Sequence, residues 1–393
     1  MPLSGGIFTR IYRWTDDRAN NVEISDVRFD DEMDGMAAAF NKTLYRDGQA
    51  AATGNISMGN NRLTNLADPQ SDTDAINQRS ADARYGTSTA VRLTLASGVA
   101  VTEADIAGAG TIYLTPDGSN TIGIWSGSAW VSRAFAEVSL ALDATGHQAN
   151  KNYDIFAFWD GSEVKIGTAP AWAGNTQRGS GSETSELEAW QGRLVNKNSV
   201  TLRNGGASIT TLAARRGLLV GGFRTTSVAG QTEDSNVRRF LSNVYGRTTR
   251  PMKRLETAAQ WTYGPTGGDV WRQANANTAN KLEFFQCVGG DFVEAEVFAV
   301  AINSTSSGRT TAVGIGLDNI TTNNATFKRV MSVPQELRPL DAKYVGNPGI
   351  GYHYLSWLEV TGTNDTRTFY GDGSLLTPTP IEHQSGISGS VVG

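Results

Sequence analysis

Val293-Glu294-Ala295-Glu296-Val297-Phe298-Ala299-Val300 sets Val293, Ala295, Val297 and Ala299 two residues apart, with Glu294 and Glu296 between them. Side chains two apart share a face of a strand, so this spacing reads as a β-strand with one apolar face and one acidic, solvated face. Similar text flanks it on both sides. Downstream stand Thr311-Ala312-Val313-Gly314-Ile315-Gly316-Leu317 and Tyr354-Leu355-Ser356-Trp357-Leu358-Glu359-Val360. Upstream stand Leu282-Glu283-Phe284-Phe285, Leu218-Leu219-Val220-Gly221-Gly222-Phe223, Glu163-Val164-Lys165-Ile166, Tyr153 to Trp159 and Val138 to Leu142. Spacings of 10–25 residues, broken by Gly, Asn and Asp, predict antiparallel sheets packed as a sandwich over residues 136–393. The ending, Gly386-Ile387-Ser388-Gly389-Ser390-Val391-Val392-Gly393, predicts a final strand with Trp357 in the nearby core. No fixed period of roughly 20–50 residues marks a solenoid, and no heptad run marks a coiled-coil shaft.

Ahead of this domain, Val91 to Leu95, Thr111 to Thr115, the turn Pro116-Asp117-Gly118-Ser119-Asn120, Ile122 to Trp125 and Trp130-Val131 read as a small β module over 87–135. Its two tryptophans supply a minimal core. Glu186-Leu187-Glu188-Ala189-Trp190, after the Gly/Ser/Thr-rich stretch from Asn175, reads as a helical turn. The fold class is mostly β. The composition agrees: 44 glycines, 39% apolar and 19% charged residues, with nine tryptophans to fill cores. A net charge of −5 argues against a nucleic-acid binder, which would be basic.

The N-terminal text is different. Residues 1–24 read as irregular, with anchoring aromatics Phe8, Tyr12 and Trp14. Phe29, Met33, Met36, Ala37, Phe40 and Leu44 then keep to one face of an amphipathic helix over 29–45. Asp30, Asp31, Glu32 and Asp34 crowd its first turns, where the helix dipole favours anions. Residues 51–86 read as a collar: a tiny hairpin turning at Gly59-Asn60-Asn61, then a short helix through Ile76 capped by Asp72 or Asp74. So small a hairpin cannot bury its own apolar side chains.

The order of words here, Arg46-Asp47-Gly48-Gln49, Ala52-Thr53-Gly54-Asn55-Ile56-Ser57-Met58-Gly59-Asn60-Asn61-Arg62-Leu63-Thr64-Asn65-Leu66-Ala67-Asp68-Pro69 and Thr73-Asp74-Ala75-Ile76-Asn77, resembles a module near the N-terminus of bacteriophage tail-fibre and tail-spike proteins. Phe8, Trp14 and the run from Arg28 to Met36 fit the same family, so the resemblance covers residues 1–80. Ala50-Ala51-Ala52 departs from the more polar, proline-containing link of many relatives. The resemblance implies a virion protein whose N-terminal segment 1–50 docks on the tail or head through Phe8, Trp14, Phe29, Met33, Met36 and Phe40. It also implies a homotrimer. A weaker resemblance, carried by Thr232 to Ser235, Trp261-Thr262-Tyr263 and Trp271 to Asn275, is to the C-terminal domains of uncharacterised phage tail proteins.

Signals for chemistry are sparse. No P-loop, hydrolase elbow or zinc motif occurs, and the three histidines His147, His353 and His383 are scattered, so no metal, cofactor or catalytic residue is expected. Cys287, the single cysteine, reads as a core thiol. Glu294 and Glu296 suit glycoside cleavage in principle, but alternating acids on a solvated strand face are the plainer reading. Arg238, Arg239, Arg247, Arg250, Lys253 and Arg254 form the densest basic patch: a salt-bridged subunit interface, or a phosphate or lipopolysaccharide-core site. Trp172, Trp190, Trp261, Trp271 and Trp357 are candidates for core or for sugar platforms.

The expectation is therefore a non-enzymatic virion fibre, with a bacterial-surface glycan bound near Tyr352, His353, Asn364, Asp365 and Asp372. Two alternatives stand beside it. One is a head- or tail-attached structural adaptor without receptor binding; the other is a polysaccharide-depolymerising spike. No window approaches about 18 apolar residues and no signal pattern opens the chain, so membrane insertion is not expected and synthesis in the host cytoplasm is. The acidic balance argues against nucleic acid as a partner.

Overall fold

The strand Val293–Asn303 is the axis of a seven-stranded antiparallel sheet. Thr249–Leu255 and Gly386–Val392 lie on one side of it, Leu337–Gly346 and Phe327–Lys328 on the other. Arg367–Tyr370 pairs with its far end and with Gln260–Tyr263. Val293, Ala295, Val297 and Ala299 are buried while Glu294 and Glu296 are exposed, as the alternation requires. The apolar face meets an eight-stranded sheet ordered Val330–Met331, Thr311–Leu317, Gly351–Thr361, Lys281–Gln286, Arg238–Arg239, Thr232–Asp234, Ile106–Ala109, with Arg272–Gln273 on the Gly351–Thr361 strand. Leu282, Phe284, Val313, Ile315 and Trp357 from this second sheet join Val297, Leu340 and Ile387 from the first in one core. That is a β-sandwich. Its only parallel pairing among the described residues joins Arg238–Arg239 to Lys281–Gln286.

This computed structural model describes residues 3–4, 7–8, 12–23, 25–40, 59–60, 63–71, 73–75, 89–265, 269–303, 309–332, 336–374 and 382–393. It is 46% strand and 7% helix. The chain divides into two compact units, Met1–Ala67 and Asp68–Gly393.

In the larger unit a second layered arrangement precedes the sandwich. An eight-stranded antiparallel sheet runs Leu187–Trp190, Arg193–Asn196, Leu218–Arg224, Asn152–Trp159, Val164–Thr168, Val200–Asn204, Ala207–Leu212, with Leu241–Asn243 also on Leu218–Arg224. One face packs Ile155, Val164, Ile166 and Val220 against Leu93, Ile112, Ile122 and Leu140. The other collects Phe156, Phe158, Leu202 and Leu219. Sequence reading placed a boundary at 135; the structure puts it inside a core. Val138–Ala141 is the third strand of the small sheet Val91–Thr94, Thr111–Pro116, and Phe135 is itself a core residue. The small sheet and the apolar face of the larger sheet share one core. The helical turn expected at 186–190 is instead the strand Leu187–Trp190, paired residue for residue with Arg193–Asn196. The last residues do form a strand, Gly386–Val392, held on both edges.

Asp154 ties the layers together. Fully buried, it accepts Nε and a terminal nitrogen of Arg178 at 2.6 and 2.8 Å and the Trp172 indole N–H at 3.0 Å. Arg178 stacks on Trp172 and donates to the carbonyl of Cys287 at 2.6 Å, while Cys287 and Phe285 of the second sheet pack on Trp172. Burial pushes the Cys287 thiol up to about 11, which fits a core residue.

In the N-terminal unit, Leu3–Ser4 pairs with Ile7–Phe8, and the helices Trp14–Ala19 and Asp26–Phe40 follow. The first helix corrects the irregular reading of 1–24; six residues leave little periodicity to detect. Trp14 stacks on Phe29, Arg28 pairs with Asp17 at 2.6 Å and covers the Tyr12 ring, and the Tyr12 hydroxyl donates to Asp31 at 3.0 Å. Phe29, Met33 and Phe40 remain exposed and Met36 half-exposed. The expected helical residues 41–45, most of the collar hairpin and residues 76–86 lie outside the described residues, as does the Phe8 side chain. Asp74 closes a turn by accepting the backbone N–H groups of Gln70 and Ser71 at 2.6 and 2.9 Å.

Candidate functional site

Trp159-Asp160-Gly161-Ser162-Glu163 is a hairpin turn between Asn152–Trp159 and Val164–Thr168. Gly161 adopts φ +109°, a conformation open to glycine. The Asp160 carboxylate closes the turn by accepting the N–H of Ser162 and of Glu163, each at 2.8 Å. These bonds, Glu163 first, hold its carboxyl below the usual range. The turn carries Trp159 to the rim of two adjoining cavities that share Trp159 and Leu212 in their walls.

The larger cavity, about 700 Å³, is mainly polar. Glu137, Ser139, Asp160, Glu163, Lys165, Asn204 and Thr210 reach it around the apolar Phe158, Ile209 and Leu212. Lys165 pairs with Glu163 at 2.5 Å. Glu137 is fixed from behind by Ser97 and Thr115 hydroxyls at 2.5 and 2.6 Å and the Gly98 N–H at 2.7 Å. Desolvation pushes its carboxyl up, but those three donors together outweigh it and hold it low. Asn204 accepts the Ala141 N–H at 2.9 Å and donates to the Ser139 carbonyl. The smaller cavity, about 260 Å³, is lined by Ile124, Trp125, Ser126, Arg133, Trp159, Thr211, Leu212, Ala213 and Arg216. Arg133 lies over the Trp159 ring at 4.0 Å. Rigid rings beside preset donors and acceptors suit a hydroxyl-rich, partly apolar ligand such as a sugar.

The residues singled out from sequence do not converge. Tyr352 stacks under Arg224 at 3.8 Å and donates to Glu283 at 2.5 Å, and burial raises its phenol pKa. His353 is buried, with Nδ1 2.8 Å from Asp318. Asp365 is 1% exposed and ion-paired with Arg367, so its assignment to a binding loop is corrected to core. Asn364 and Asp372 are exposed; Asn364 sits at φ 58° in its turn. Of the tryptophans, Trp172, Trp261 and Trp357 are buried and Trp190 and Trp271 half-buried. Four members of the basic patch are ion-paired: Arg239 and Arg250 share Asp234, Arg238 meets Glu233 and Glu283, and Arg247 meets Asp291, while Lys253 and Arg254 form no ion pair among the described residues. Glu294 and Glu296 line a third cavity, about 430 Å³, beside Lys343 and Ser388.

Trp159, Arg133 and Arg216 are not singled out as a site by the sequence, and Trp125 reads there with Trp130 as packing rather than as a sugar platform. A tryptophan directly before an Asp-Gly turn was the available signal. Which other strands would border it depends on sheet order, because Ala207–Leu212 is the edge strand of the sheet, three places from Asn152–Trp159.

No family model and no curated protein matches the chain. Among solved structures, the mosquito-larvicidal Cry4Aa toxin of Bacillus thuringiensis is similar at 9% identity over 66% of this chain and 49% of its own, with a TM-score of 0.12. The insecticidal delta-endotoxin Cry8Ea1 of the same organism is similar at 9% identity over 70% and 52%, also with a TM-score of 0.12. The chain spans about half the length of each, and likeness of this degree carries no argument about fold or activity.

Proposed function

We propose that the chain is a non-catalytic fibre of a bacteriophage particle, anchored through its N-terminal unit and recognising a bacterial-surface glycan through the Trp159 cleft. The cleft carries the recognition half of this reading: an aromatic ring at the meeting point of two cavities, with amide, hydroxyl, carboxylate and ammonium groups held in place around it. Support for the anchoring half is the Arg46–Pro69 word order and the exposed Phe29, Met33 and Phe40 on one short helix. A homotrimer would multiply weak single-site contacts by raising effective concentration.

Binding without cleavage is favoured by the cleft carboxylates. A glycosidase needs a general acid with a raised pKa, whereas Glu137 and Asp160 are both held low by donors already bonded to them and the third cleft carboxylate, Glu163, is ion-paired with Lys165. The test is incubation of the purified chain with bacterial surface polysaccharides, reading both binding and new reducing ends. Saturable binding with no new ends is expected. Release of ends would establish the depolymerase, and absence of binding to any glycan would leave the structural adaptor.

A further inference from the structure

Some arginines in the larger unit are met by carboxylates: Arg178 by Asp154, Arg215 by Glu188, Arg239 and Arg250 by Asp234, Arg272 by Glu359. Others are met by neutral oxygens, as Arg92 is by the Gly246 carbonyl and Arg224 by Asn152 and Asn175. Arg133 and Arg216 differ in standing together at one cavity. Both line the smaller cavity, whose walls contain no Asp or Glu, and neither forms an ion pair among the described residues. Arg133 stacks its guanidinium on Trp159, and its Nε is buried with no hydrogen-bond partner. Stacking occupies the face of the guanidinium and leaves its in-plane N–H groups directed at the edge. Arg216, exposed, makes one long contact to the Trp125 carbonyl, 3.4 Å. Its terminal nitrogen lies only 2.8 Å from where a side chain on Gly127 would begin, so the bare glycine at φ +104° lets it reach this wall.

Two unpaired guanidinium groups flanking a small aromatic-walled cavity, in a chain of net charge −5, make a local anion site. About 260 Å³ is below the usual range for large ligands and suits one ring. We infer that this cavity binds the carboxylate-bearing ring of an acidic sugar, while the larger cavity, with its carboxylates and amides, takes the hydroxyls of neighbouring neutral residues. The inference rests on the glycan reading and adds the charge of the ligand. Arg133 and Arg216 grip the carboxylate, and the Trp125 and Trp159 side chains border the ring.

Calorimetric titration of the intact chain with oligosaccharides containing glucuronate, galacturonate or sialic acid, each beside its carboxyl-reduced counterpart, tests this. At least one acidic member is expected to bind ten-fold or more tightly than its reduced form, and 0.3 M salt to narrow that gap. Arg216→Gln, a change at an exposed side chain, is expected to weaken the acidic ligand five-fold or more and leave the reduced one unaltered. Arg216→Lys should restore part of the loss. Equal binding of acidic and reduced forms, or indifference to Arg216→Gln, overturns the acidic subsite while the glycan reading stands. If neither form of any saccharide binds, both fall.

Discussion

At the scale of single residues, buried charge is spent on holding layers together. Asp154 is fully buried, and burial raises its pKa against the pull of Arg178. Arg178→Ala should therefore destabilise the chain by about 3–5 kcal/mol, since removing one partner leaves the other charge buried. Denaturant melts of the purified variant check this; a loss below about 1 kcal/mol would mean water reaches Asp154. His147 makes a pH-dependent counterpart. Fully buried, it accepts the Asp143 N–H at Nδ1 and meets the Thr168 hydroxyl at Nε2, 2.9 Å away. Desolvation depresses its pKa below the usual histidine value, with Asp143 pulling the other way and Arg203 adding to the depression. A depressed folded pKa contributes stability that is full above the unfolded value, about 6.5, and is lost as pH falls through the folded one. Melting temperature should drop on acidification below about pH 6.5, and His147→Gln should flatten that part of the profile.

At the scale of elements, the last strand decides whether the sandwich closes. Gly386–Val392 lies between Thr249–Leu255 and Val293–Asn303, and Ile387 is fully buried in the shared core. Gly389 crosses so close to Glu294 that an added Cβ would sit 2.3 Å from its carbonyl oxygen, which explains a glycine in mid-strand. Ile387→Ala should cost about 2–5 kcal/mol, read by denaturant midpoint. Strands like this one were legible because alternation survives in a single sequence: Val293 to Ala299 and Ile387 with Val391 each keep to one face. Leu187 to Trp190 was not, because four residues fit a helical turn as well as a strand and only the pairing with Arg193–Asn196 decides. Tyr352, His353 and Asp365 misled for a related reason. Polar and aromatic residues near turns look like a binding loop until their partners are known: Glu283 and Arg367 lie on other strands, and Asp318 directly follows one.

At the scale of the whole molecule, the described apolar cores of the sandwich and of the preceding layers draw on no residue before Val91. Deleting residues 1–50 should thus leave the larger unit folded, with an unchanged melting temperature, while abolishing incorporation into particles. Normal incorporation of the truncated chain would place the anchor elsewhere. Recognition, by the same account, belongs to the larger unit and to the ring at Trp159. The most direct test is the affinity of surface-derived oligosaccharide for the intact chain and for Trp159→Leu, which keeps apolar packing and removes the flat ring. The account predicts saturable binding by the native chain, at least ten-fold weaker in the variant at an unchanged melting temperature. Equal affinity in the two proteins would contradict it.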